Sequence, residues 1–72
     1  MQYLTKLKLE ASRQICDVED KSTEYTLQYM QDTCGVSLDT VVSYFRLDKE
    51  EHSKLRKEVN GILQHIIKIE NI

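Results

Sequence analysis

The chain has 72 residues, 40% of them apolar and 31% charged, with a net charge of −2, four tyrosines, one phenylalanine and no proline. That length allows one domain, residues 1–72, whose single core yields only a few kcal/mol of net stability unless a staple or a partner adds to it. The composition excludes a disordered tail, and apolar residues that never run longer than pairs exclude a membrane-spanning helix. Helix formers are plentiful and turn chemistry is scarce, so the expected class is all-α.

The first predicted helix covers about Gln2 to Ile15. Leu4, Leu7, Ala11 and Ile15 recur with helical periodicity, and this stripe is expected to face inward, with Lys6, Lys8, Glu10 and Arg13 facing away. Leu9 falls off the stripe, which leaves either a wide buried face or one exposed leucine. A polar connector from Asp17 to Lys21 follows.

Asp20 or Ser22 can cap a second helix, because a short side-chain oxygen accepts from an amide of the first turn. It runs to about Thr33, with Leu27, Met30 and Cys34 inward and Tyr25 and Tyr29 beside them. Gly35 supplies the left-handed stop. Ser37 caps a short third helix, whose inward face is expected to be Leu38, Val41, Val42 and Phe45. Tyr25, Tyr29 and Tyr44 are expected at the core edge, with their hydroxyls in water.

Asp48 and Glu51 form a capping-box pair for a fourth helix. Leu55, Val59, Ile62, Ile66 and Ile69 recur at spacings of four, three, four and three, and Leu63 and Ile67 widen the stripe. Asn60-Gly61 is a helix-ending dipeptide, yet the stripe keeps its phase through it, so the helix is expected to continue to about Ile69. The predicted architecture is a small bundle of about four helices with a long amphipathic C-terminal helix.

No catalytic constellation is legible. His52 and His65 are far apart in sequence, and Glu50-Glu51 places two carboxylates about 100° apart around a helix. Two lone glycines cannot build a phosphate loop. Cys16 and Cys34 lack a metal-type spacing and are expected as free thiols packing like small hydrophobes. The expectation is therefore no enzyme, no metal, no cofactor and no small-molecule substrate. With no span and no signal-peptide core at the N-terminus, an intracellular place, cytoplasmic or nuclear, is expected.

Charge is uneven along the chain. Residues 17–40 carry six acids against Lys21, a poor surface to lay along phosphate. A helix-turn-helix pattern over residues 37–59 is nevertheless the alternative: Val41, Phe45, Leu47 and Leu55 fall at its apolar anchor positions. Ser53, Lys54, Arg56 and Lys57 would then face DNA, and the last helix would serve dimerisation. Against it stand Arg46 where the turn prefers glycine, His52 where an aliphatic residue is wanted, and Glu50-Glu51 at the start of the recognition helix.

The favoured function is a non-enzymatic regulatory or adaptor module that docks an apolar helix face on another protein or on its own copy. Its expected contact set is Leu55, Val59, Ile62, Leu63, Ile66 and Ile67. Nucleic acid is the less favoured partner.

Overall fold

A computed structural model of the chain describes the backbone of residues 1–70 and the side chains of residues 1–62. Four helices form in order: α1 (Tyr3–Val18), α2 (Thr23–Cys34), α3 (Leu38–Phe45) and α4 (Lys49–Glu70). Among the described residues there is no strand, and the fold is a small all-helical bundle. α1 is its hub, packing on each of the other three helices, while α2 also packs on α3.

The boundaries follow local chemistry. Ser22 Oγ accepts from the Tyr25 amide at 3.2 Å, and Ser37 Oγ from the Thr40 amide at 3.4 Å, so both serines cap as expected. Asp48 Oδ1 accepts from the Glu51 amide at 2.8 Å. The Glu51 carboxylate does not return the favour of a capping box; it reaches Lys6 Nζ of α1 at 3.5 Å instead. Gly35 ends α2 in the left-handed region at φ 63°, and the Val36 amide reaches back to the Gln31 carbonyl.

α1 runs three residues further than its periodicity predicts, taking in Asp17 and Val18 of the expected connector. It ends in the same way as α2 but with Asp20 in the left-handed position, at φ 56°. The Lys21 amide bonds the Cys16 carbonyl and the Asp20 amide bonds the Asp17 carbonyl, which completes a Schellman closure. Aspartate tolerates this conformation better than most side chains, which is why no glycine marks the stop. α4 passes through Asn60-Gly61 without a break.

The core gathers Leu9, Met30, Val41, Tyr44 and Leu55, one or more from each helix, with Leu7, Leu27, Cys34, Val36 and Leu47 packed around it. Three sequence expectations are corrected here. The inward face of α1 is Leu9, Ser12 and Cys16; of the expected Leu4–Leu7–Ala11–Ile15 stripe, Leu7 packs against the core, whereas Leu4 and Ile15 are exposed. In α3 the inward pair is Val41 and Tyr44, with Leu38 and Phe45 exposed. Tyr44 is therefore fully buried rather than at the core edge.

The physical reason for the last two is one contact. Turning α3 so that Tyr44 points inward lets the largest side chain of the core bury its ring while its hydroxyl finds a partner on α1. Tyr25 and Tyr29 stay outside the core, stacked on each other with ring centroids 6.1 Å apart. Both cysteines are free thiols; Cys16 is buried, and Cys34 Sγ lies 3.6 Å from Ser12 Oγ.

Candidate functional site

The partner that Tyr44 finds is Glu10, a charged side chain that the sequence pattern places outward and the fold buries completely. Burying a carboxylate is costly unless it is paired and hydrogen-bonded. Glu10 is both. The Tyr44 hydroxyl donates to Oε2, and Gln14 Nε2 donates to Oε1 at 3.3 Å. Two guanidinium groups lie close, with Arg13 Nη1 at 3.8 Å and Arg56 Nε at 3.6 Å. Arg13 Nη1 also donates to the Tyr44 hydroxyl at 3.3 Å. Glu10 thus ties α1 to α3 through Tyr44 and to α4 through Arg56.

Above this buried knot lies an open groove of about 360 Å³ lined by Arg13, Lys49, His52, Ser53 and Arg56. The His52 ring meets the Tyr44 ring edge-on, with centroids 4.8 Å apart. His52 Nδ1 is buried and has no hydrogen-bond partner among the described residues.

A second surface is apolar. Leu4, Ala11, Ile15 and Val18 share the outer face of α1, and Leu4 is 60% and Val18 87% exposed. Ala11, Gln14, Ile15, Val18 and Glu19 line a shallow depression of about 340 Å³ there. A helix turns 100° per residue, which sets the centre of this stripe about 140° from Leu9 and Cys16. α1 therefore carries two apolar faces, and the chain's own core uses only one.

The expected contact set on α4 divides. Leu55 and Val59 are buried in the chain, whereas Ile62, one turn further on, is 48% exposed. Leu63, Ile66 and Ile67 lie outside the described side chains. The alternative DNA-facing set divides as well. Ser53, Lys54, Arg56 and Lys57 are all exposed. Ser53 and Arg56 line the groove beside Arg13, while Lys54 lies on the other side of α4 with Tyr3, Lys6 and Glu51, 4.0 Å from Glu50.

The chain matches no known protein family, no curated protein and no solved structure. Among the described residues no group of three or more His, Cys, Asp or Glu could hold a metal ion, and no helix is long and apolar enough to cross a membrane.

Sequence reasoning missed Glu10, Arg13 and Tyr44. Lys6, Glu10, Arg13 and Asp17 alternate in sign at spacings of four, three and four, the pattern of a solvated salt-bridge ladder. The available signal was Leu9, Ser12 and Cys16 at i, i+3 and i+7, small enough at Ser12 and Cys16 for close helix packing.

Proposed function

We propose that this chain is a non-enzymatic module that works by helix-mediated self-association, with a second copy of itself as the occupant of its exposed apolar surface. The observation that carries the reading is the outer stripe of α1, where Leu4, Ile15 and Val18 stay exposed in a domain with little apolar surface to spare. The stripe is self-complementary. In an antiparallel α1 pair centred on Ala11, Leu4 meets Val18 of the second copy and the small alanines allow close approach. Charge favours the same direction: the start of α1 carries Lys6 and Lys8, and its end carries Asp17, Glu19 and Asp20. Antiparallel pairing sets opposite charges together, whereas parallel pairing sets like on like.

A 16-residue helix is about 24 Å long, too short to bury alone the roughly 800 Å² per partner of a standard stable interface. The C-terminal segment supplies the remainder in this reading. Its sequence continues the spacing of Leu55 and Val59 into a long amphipathic helix, with Ile62, Leu63, Ile66 and Ile67 extending the contact and Leu55 and Val59 anchoring it to the bundle.

Sedimentation equilibrium over a wide concentration range tests this reading. Wild type is expected to dimerise, and Val18→Lys to shift the protein to monomer with helix content unchanged, because a cation suits the last turn of a helix. Ile62→Asp is expected to weaken association in the same way. A wild-type monomer at the highest concentration reached, or a dimer indifferent to both substitutions, refutes it.

The helix-turn-helix alternative retains one supporting observation: Ser53 and Arg56 share a groove with two further cations, Arg13 and Lys49. Retention on a DNA column that falls steeply with salt would favour it.

A further inference from the structure

We propose that the groove between α1 and α4 lined by Arg13, Lys49, His52, Ser53 and Arg56 is a binding site for a phosphate dianion, free or as the terminal group of a monoester. Every lining residue offers a hydrogen-bond donor, three are cations, and none is a carboxylate. The carboxylate beneath, Glu10, carries a single charge that Arg13 and Arg56 share. Arg13 has a second carboxylate on its Nε, from Asp17 at 3.6 Å, whereas Lys49 makes no ion pair among the described residues. The groove is therefore left with uncompensated positive charge.

The donors are also held ready. Arg56 meets Glu10 through Nε, and its two terminal amino groups make no hydrogen bond among the described residues. A planar guanidinium fixed at one edge and free at the other matches two oxygens of one phosphate. Arg13 is held from below by Glu10 and the Tyr44 hydroxyl. His52, which meets the Tyr44 ring edge-on at the floor of the groove, has a buried Nδ1 with no hydrogen-bond partner among the described residues. The site does not rest on the start of α4, because Asp48 already caps the Glu51 amide there. A terminal phosphate presents three free oxygens to these donors, whereas a diester presents two.

The test is a titration of the ¹⁵N-labelled full chain with inorganic phosphate at constant ionic strength, chloride replacing phosphate, at about pH 8, where the dianion predominates. Saturable shifts are expected at the amides of Lys49 to Ser53. Lys49→Gln and Arg56→Gln are each expected to weaken the apparent affinity about tenfold, and Lys54→Gln, the same loss of charge on the far side of α4, by less than about twofold. Phenyl phosphate in place of inorganic phosphate distinguishes the sources: tighter binding assigns the groove to a monoester, equal or weaker binding to the free ion. Shifts that stay linear, or three variants that lose affinity alike, overturn the proposal. So does a DNA duplex that binds with the Lys49 and Arg56 dependence while phosphate does not saturate, which would hand the groove to nucleic acid.

Discussion

The Tyr44 hydroxyl donates to the Glu10 carboxylate with both side chains fully buried, a link that joins α3 to α1 across 34 positions of sequence. Tyr44→Phe keeps the ring and removes the donor, leaving a buried carboxylate short of a partner. The expected loss is about 1–3 kcal/mol, read from urea unfolding. Glu10→Gln in the Tyr44→Phe background is expected to cost less than it does alone, because the two residues act as a unit. Additive losses would show that the two groups do not sense each other.

The assignment of faces on α1 is tested by two leucines. Leu9 is buried in the core and Leu4 lies on the outer stripe. Leu9→Ala is expected to cost about 2–5 kcal/mol, and Leu4→Ala to stay within about 0.5 kcal/mol for the monomer. If Leu4→Ala proves the more damaging of the two, the inward face has been assigned the wrong way round.

Two helix ends use the left-handed conformation with different residues. Gly35→Ala places a Cβ at φ 63°, where steric space is open but the backbone conformation itself is disfavoured, so a loss of about 1 kcal/mol is expected. Asp20→Gly, at φ 56°, relaxes the same strain and is expected to be neutral or to gain up to about 1 kcal/mol. A lower unfolding midpoint for Gly35→Ala, with none for Asp20→Gly, checks the pair.

Gly61 lies within α4, and a Cβ added there would meet nothing within 4 Å. Gly61→Ala is therefore expected to stabilise the protein by up to about 1 kcal/mol through helix propensity alone. No change in the unfolding midpoint would mean that this part of α4 does not unfold together with the core.

The starts of α2, α3 and α4 and the end of α2 were readable because caps are local. Ser22, Gly35, Ser37 and Asp48 each act within four residues of themselves, so the chain need not know its tertiary fold to place them. The inward faces of α1 and α3 were not readable, because both helices carry apolar residues on more than one side. Which side turns in depends on where Tyr44 and Glu10 meet, a contact between distant segments. A glutamate flanked by lysine and arginine at helical spacing looks solvated until a buried hydroxyl claims it. The same ambiguity conceals the groove, since Arg13 belongs to α1 and the other four lining residues to α4. No single segment displays the cluster.

The two thiols give the bundle a built-in clock. Cys16 is sealed inside the inward face of α1, while Cys34, beside Ser12, keeps partial access to solvent. A thiol reagent should therefore label Cys34 at once and Cys16 only as often as α1 lifts away from its neighbours. The lag between the two reactions measures how frequently the hub lets go, without any probe being added to the chain.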